Sequence, residues 1–151
     1  MVGQLIAQAK KNFRDYKIIE RLVAGMALTG NEIKSLRGRQ VAIGEAYVLP
    51  QKNELYVVNM HIAAYSHASY LAKVDTRRKR KLLLKRREIN KLIGTMKAKN
   101  YVLIPLQLFI TNRGWAKLEI ALAQHLRKYQ IKEKVREKEI KRKLRQEGDF
   151  Y

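Results

Sequence analysis

The sequence contains no cysteine. That excludes disulfides and every cysteine-ligated zinc or iron–sulfur centre, and it leans toward a reducing compartment, the cytoplasm. Proline and glycine are few, two and eight, so each one that interrupts an apolar run marks a turn or a bend. No apolar stretch approaches the roughly 20 residues that span a bilayer. The opening MVGQLIAQAKKNFRD is too short and broken in its apolar part for a secretory signal, and it lacks the serines of a transit peptide. Catalytic signatures are missing as well. There is no Walker loop, GxGxxG, HExxH or nucleophile elbow. The three histidines, His61, His67 and His125, are scattered, and so are the acids from Asp15 to Glu119, whereas a two-metal nuclease needs clustered carboxylates. The expectation is a protein that is not an enzyme, with no cofactor and no metal.

Acid is the scarcest feature. Thirteen Asp and Glu face 33 Lys and Arg, a net charge of +20 on 151 residues. A field of that sign favours polyanions: nucleic acid first, an anionic membrane surface second. Apolar residues make up 46% of the chain, enough for a folded core.

Short apolar runs with turn residues between them dominate the first 123 positions. Residues 15–28 read as a strand bent or bulged at Ala24-Gly25. Thr29 caps a short helix, with Glu32 at capping-box spacing and Gly38 at its end. Residues 45–49 and 54–62 read as a hairpin around Pro50-Gln51-Lys52-Asn53. In the second strand Tyr56, Val58, Met60 and Ile62 share one face, and Leu55, Val57, Asn59 and His61 the other. A helix is expected near 81–97, with Ile89, Leu92, Ile93 and Met96 as its apolar stripe. Residues 101–111 and 115–122 pair across Asn112-Arg113-Gly114, and Pro105 argues for an edge or a bulge. In the second of these runs Ala116, Leu118, Ile120 and Leu122 point one way, Trp115, Lys117 and Glu119 the other. Several short strands with one or two helices give a mainly β (α+β) fold, a small antiparallel barrel of the oligonucleotide-binding (OB) kind.

Two basic segments carry the functional signal. Arg77 to Arg87, RRKRKLLLKRR, holds eight basic residues in eleven and no acid. It comprises Arg77, Arg78, Lys79, Arg80, Lys81, Lys85, Arg86 and Arg87. Phosphates would compensate such density; a solvated face is the plainer alternative. From Arg127 to Glu147, ten basic residues face four acids. They include Arg127, Lys128, Lys132, Lys134, Arg136, Lys138, Lys141 and Arg142, on a thin apolar stripe of Ile131, Val135, Ile140 and Leu144. This reads as a tail that becomes helical on RNA, against the alternative of a solvated helix with Lys–Glu pairs. Tyr47, Tyr65, Tyr70 and Tyr129 lie near basic stretches and can stack on unpaired bases, although most tyrosines are half-buried core residues. Asn59 and His61 share an outward face. The organisation expected is an RNA-contacting arm at 1–14, an RNA-binding barrel at 15–123 and a basic tail at 124–151.

Taken together, DYKI near 15, ALTGNEIKSLRGR at 27–39, EAYV at 45–48, VNMHIAAYSHA at 58–68, RKRKLLLKRREINKLIG at 78–94 and YVLIPLQLFITNRGWAKLEIALA at 101–123 resemble the SsrA-binding protein (SmpB) family. The resemblance covers about residues 10–145. It implies a six-stranded OB-like barrel with about three helices that grips the tRNA-like domain of transfer-messenger RNA (tmRNA). It also implies delivery through tmRNA by elongation factor Tu, and a tail that enters the decoding centre and mRNA channel of a stalled ribosome. A monomer, with no membrane partner, is expected. The family's RNA-gripping pattern falls on Tyr16, Arg37, Tyr47, Asn59, Arg80, Lys81, Leu83, Lys85 and Arg87, and its decoding-centre stacking group on Tyr129. The chain departs from the family at Ala9, where an asparagine is usual, and at Val23, where a glutamate is usual. It departs again at His125-Leu126-Arg127 and Gln130-Ile131-Lys132. The competing expectation is a divergent relative that binds another structured RNA or the ribosome directly. A membrane-surface role for the tail is weaker, because its apolar stripe is thin.

Overall fold

The computed structural model describes residues 3–65, 75–126 and 128–147, with side chains described over 135–144 in the last segment. The elements run β1 (Gly3–Gln8), α1 (Lys10–Asp15), β2 (Tyr16–Met26), α2 (Gly30–Arg37), β3 (Val41–Ala42), β4 (Tyr47–Gln51) and β5 (Glu54–Val58). They continue with β6 (His61–Ile62), β7 (Arg80–Leu83), α3 (Arg86–Lys99), β8 (Val102–Thr111), β9 (Ala116–His125) and α4 (Lys128–Glu147). Strands pair antiparallel in the order β8-β4-β5-β7-β2-β9, and β9 returns to β8, so the circuit closes on six strands. Closure removes the free edges that an open sheet would present. β1 adds to β8 from outside, and β3 with β6 makes a small separate ribbon. The mainly β, OB-like architecture is therefore present, with four helices among the described residues where about three were expected.

Local chemistry explains several elements. Thr29 Oγ1 accepts the Glu32 N–H at 3.2 Å and Glu32 Oε1 accepts the Thr29 N–H at 2.9 Å, so the capping box that starts α2 is complete. Gly38 ends the helix. Lys52 and Asn53, with φ of 50° and 62°, make a two-residue hairpin turn, and Pro50 belongs to β4 opposite Leu55. The 112–114 turn closes through Thr111 N–H to the Trp115 carbonyl and Gly114 N–H to the Thr111 carbonyl, with Gly114 at φ 86°. Pro105 sits at a register shift between β8 and β9, a bulge and not an edge.

Leu55, Val57, Met60, Leu82, Leu108, Leu118 and Ile120 are fully buried at the centre of the barrel. Each fully buried side chain of this size contributes about 1.5–3 kcal/mol. A second cluster lies outside the sheet, where Phe13, Tyr16 and Ile18 cover Ile104, Leu106, Ala121 and Ala123. Those small residues on β9 leave room for the aromatics of the α1 region. The arm expected at 1–14 is tied down over its described part. β1 pairs with β8, the Ala9 N–H donates to the Leu106 carbonyl at 2.8 Å, and Asn12 Nδ2 donates to the Pro105 carbonyl at 2.7 Å.

Three sequence expectations are displaced. The helix near 81–97 begins only at Arg86, because Arg80–Leu83 alternates buried and exposed and bridges β5 to β2 as a strand. The irregularity in β2 falls between Ile18 and Glu20, not at Gly25. The alternation along 54–62 switches faces at Asn59. Its left-handed backbone, φ 62°, ends β5 and sends Met60 and Ile62 into the core with Leu55 and Val57.

An ion network locks this region. Arg80 is fully buried, and its guanidinium reaches Glu32 Oε2 through Nε at 2.7 Å and through Nη2 at 2.6 Å. Nη1 also donates to the Met60 carbonyl at 2.6 Å, and Nη2 to the Thr76 carbonyl at 3.1 Å. Arg78 Nη2 meets the other Glu32 oxygen at 2.5 Å. Burial pushes the Glu32 carboxyl up, but hydrogen bonds from Arg78, the Thr29 N–H and Arg80 outweigh it and hold the group below its ordinary value. A carboxyl depressed in the fold stabilises above its unfolded value, and that stabilisation is lost as pH falls through the folded value. Glu32→Gln leaves a buried arginine unpaired and is expected to cost about 3 kcal/mol. Urea titration from neutral to acidic pH checks this. The wild-type chain loses stability below the ordinary carboxyl range, whereas the Gln variant starts lower and its profile is flatter there.

Candidate nucleic-acid interface

The surface of interest is built on β7, β2 and β9, side by side in the barrel wall, with the start of α3 beside them. In β7 the inward residues are Arg80 and Leu82, and the outward ones are Lys81 and Leu83. Gly25 of β2 stands opposite Leu83 on one side and opposite Lys117 of β9 on the other. Directly opposed residues share a face, so Leu83, Gly25 and Lys117 form one outward row. A Cβ at Gly25 would lie 3.3 Å from the Leu83 Cβ and 3.7 Å from Lys117 Nζ, so glycine makes the row a shallow trough. A groove of about 610 Å³ continues from it past Val23, Lys81, Lys85 and Arg86 to Ile89.

The basic run divides by role. Arg80, expected at the RNA, is wholly buried and its guanidinium is taken up by Glu32. Arg78 is bound to the same carboxylate and to the Ala27 carbonyl. Glu54 holds Arg86 in a close ion pair and Lys81 at 3.7 Å. The hydrogen bond from Arg86 is the main reason its carboxyl lies below the ordinary value. Lys79 bonds Gln51 and lies 4.6 Å over the Tyr56 ring. Lys85 starts α3, its N–H donated to Glu88 Oε1 at 3.1 Å, and leaves its side chain exposed. Arg87 is exposed on α3. Glu32 and Glu54 thus neutralise part of a run that looks uncompensated in one dimension. Sequence spacing could not show this, because both acids come from more than 20 residues away.

The remaining predicted residues are dispersed. Arg77 Nη1 bonds Asn59 Oδ1 at 3.0 Å, and Asn59 Nδ2 reaches the Glu45 carbonyl at 3.3 Å, with His61 beyond it in β6. Among the described residues the buried Nδ1 of His61 has no hydrogen-bond partner. Tyr47, half exposed on β4, stands opposite Val58, the residue before Asn59. Tyr16 packs edge-on to His125 at 5.1 Å, beside α1 and away from the Leu83 row. Arg37 is exposed in the last turn of α2, and its Nη2 would lie 3.1 Å from a Cβ at Gly114, so the guanidinium reaches the β8–β9 turn. Ala9, where the family has asparagine, is the residue before α1 and offers no side-chain acceptor to that helix. Val23 lines the groove.

In the tail, α4 is a helix over Lys128–Glu147 and includes Lys128, Tyr129, Lys132 and Lys134, whose side chains lie outside the described set. Arg136, Lys138, Lys141 and Arg142 are exposed. Arg127, His67 and Tyr70 lie outside the described residues. Val135, Lys138 and Arg142 face Arg14 across a groove, so the tail runs past α1. Among the described residues no helix is long and apolar enough to cross a membrane, and no cluster of His, Asp and Glu suits a metal ion.

This surface suits a polyanion, with cations along a groove and an apolar row at its end. Removing Glu54 frees Lys81 and Arg86. Glu54→Gln is therefore expected to bind heparin roughly two- to fivefold more tightly at low salt, with its melting temperature little changed. Unchanged elution from a heparin column would mean that the two cations already face solvent at full strength.

Comparison with known proteins follows the same outline. The SmpB protein family model matches residues 6–149. An SsrA-binding protein of Pseudothermotoga lettingae is 42% identical over 94% of this chain and 95% of its own. One of Geobacillus thermodenitrificans is 44% identical over 94% and 90%. A solved structure described as "tmRNA-SmpB: a journey to the center of the bacterial ribosome" is 42% identical, with a TM-score of 0.62 over 76% of this chain and 80% of that one.

Proposed function

The chain belongs to the SmpB protein family, and on that premise we propose that it is an RNA-binding adaptor of ribosome rescue. It binds the tRNA-like domain of tmRNA and brings that RNA to stalled bacterial ribosomes in the cytoplasm, with elongation factor Tu engaged through the RNA. The observation that carries this reading is the likeness, at 42% identity, to a chain solved as tmRNA–SmpB in the context of the ribosome. The charge of +20 and the groove along β7 and α3 support it from the side of physics.

In this reading the barrel, 15–123, is the gripping unit, extended by the 1–14 segment that packs on β8. Lys81, Lys85, Arg86 and Arg87 meet phosphates, with Leu83 at the end of the groove. Tyr47, Asn59, His61 and Arg77 form a second contact, and Arg37 and Tyr16 lie outside both. Arg78 and Arg80 hold the surface in shape without touching RNA. The tail, 124–151, enters the decoding centre and mRNA channel as a helix, its cations on ribosomal phosphates and Tyr129 stacked on a base. The protein catalyses nothing; its work is positioning.

The test is binding to three RNAs across a salt titration: a tmRNA tRNA-like domain, an elongator tRNA and a random RNA of equal length. Preference for the tRNA-like domain that survives moderate salt is the expected result. Equal binding to all three, vanishing together as salt rises, would favour a general or different RNA partner. Lys85→Gln with Arg87→Gln should lower the slope of log affinity against log salt by roughly one unit for each phosphate that the variant no longer neutralises. Tyr129→Ala should lower ribosome-dependent peptidyl transfer to tmRNA; wild-type transfer would remove the stacking role.

A further inference from the structure

The chain leaves the barrel beside α1. β9 ends at His125, the Leu126 N–H donates to the Asp15 carbonyl at 3.1 Å, and α4 begins at Lys128. From there α4 does not stand clear of the barrel; it runs in contact with α1. The two helices meet at a groove of about 550 Å³ lined by Arg14, Val135, Lys138, Glu139, Lys141 and Arg142. Positions 135, 138, 139 and 142 are spaced as i, i+3, i+4 and i+7, so one face of α4 is turned to α1 for about two turns. At about 100° per residue, Ile140 and Leu144 fall on the opposite face, and both are exposed.

The contact is light. Val135 is the one apolar residue lining the groove and Glu139 the one acid, against the cations Arg14, Lys138, Lys141 and Arg142. Arg14 already has Asp15 for a partner, at 2.9 Å. Among the described residues no ion pair joins the two helices. Like charges gathered on one groove oppose the contact, so it holds through a half-buried valine and the carbon stems of long side chains. The platform itself is firm. Phe13 covers Ile104, Leu106, Ala121 and Ala123, and Asn12 is tied to the Pro105 carbonyl. A 20-residue helix with so thin an apolar stripe is marginal alone in water. The anchor at Leu126 and the hold at Val135 supply the nucleus it lacks.

We propose that the tail helix is stowed against α1 in the free protein, an autoinhibitory contact that keeps α4 from projecting until its cations find an anion elsewhere. What the released tail does next rests on the adaptor reading; the stowing does not. A weak apolar hold set against internal repulsion leaves the contact close to balance. A polyanion that draws off Lys138, Lys141 and Arg142 therefore supplies the differential free energy that releases it. The stowed tail is already helical, so release needs no folding step. The barrel stays open meanwhile, because the α1–α4 groove and the β7–α3 groove share no residue.

The chain has no cysteine, so thiols can be placed in pairs without background. Arg14→Cys with Glu139→Cys sets two thiols across the groove; Arg14→Cys with Leu144→Cys sets the second on the far face of α4. Each full-length double variant is treated with a short, reducible bis-maleimide. The first pair should join within one chain roughly tenfold faster than the second, and adding Val135→Ser should slow it roughly threefold. Equal rates for the two pairs, or no joining of the first, overturn the stowed tail. The chain joined across the groove should bind the tRNA-like domain as the unjoined one does. It should lose ribosome-dependent peptidyl transfer to tmRNA by roughly tenfold or more and regain it on reduction. Full transfer while joined means that the contact blocks nothing, and overturns the proposal. Weakened binding of the tRNA-like domain on joining overturns it too, since α1 then belongs to the RNA surface. A wild-type chain with no preference for the tRNA-like domain would sink the adaptor reading, and the joining rates would still decide the contact.

Discussion

The bond between Glu32 and Arg80 is the constraint on which the surface depends. It joins the first turn of α2 to the short strand β7, and through the Met60 and Thr76 carbonyls it gathers the two loop segments beside them. β7 has only four residues and pairs over two positions with each neighbour. Ladder hydrogen bonds alone hold so short a strand weakly, yet it must close the barrel. A buried ion pair gains little or no free energy over a hydrophobic pair of similar volume. What it adds is direction, because a guanidinium with several fixed acceptors has one acceptable orientation. That orientation sets the phase of β7, with Arg80 and Leu82 inward and Lys81 and Leu83 outward.

Phase explains which parts of the fold were legible. The capping box at Thr29, the 112–114 turn, the Pro105 bulge and the inward set on β9 are written in neighbouring residues, and all appear as read. β7 was hidden because three consecutive leucines and a dense charge run mask a period of two, and its partners lie in other parts of the chain. Asn59 reversed the faces of its segment because one left-handed residue shifts the alternation by a step, which composition does not reveal. Asparagine is the residue that best tolerates that conformation.

The candidate surface was legible as charge and illegible as geometry. Eight basic residues in eleven mark a polyanion partner, but charge counting treats them as equals. The fold commits Arg80 and Arg78 to Glu32 and ties Arg86 to Glu54, leaving Lys81, Lys85 and Arg87 to face outward.

The same period of two then builds the surface in pairs. On β7 it presents a cation and an apolar group, Lys81 and Leu83; on β9 it presents Lys117, with Trp115 just before the strand. The two strands flank β2, where Gly25 leaves the gap between them. Had β2 carried a side chain there, it would have met the Leu83 Cβ at close range and divided the trough. Three strands with one phase and one glycine therefore suffice to set cations beside the exposed Leu83. Lys81, Gly25 and Lys117 all lie on strands, so the spacing between them is fixed by strand separation, about 4.7–4.9 Å from each strand to the next. A nucleic acid presents its own phosphates and bases at a fixed offset. A rigid wall of this kind holds its cations at a set spacing, and a polyanion that binds it has to match that spacing.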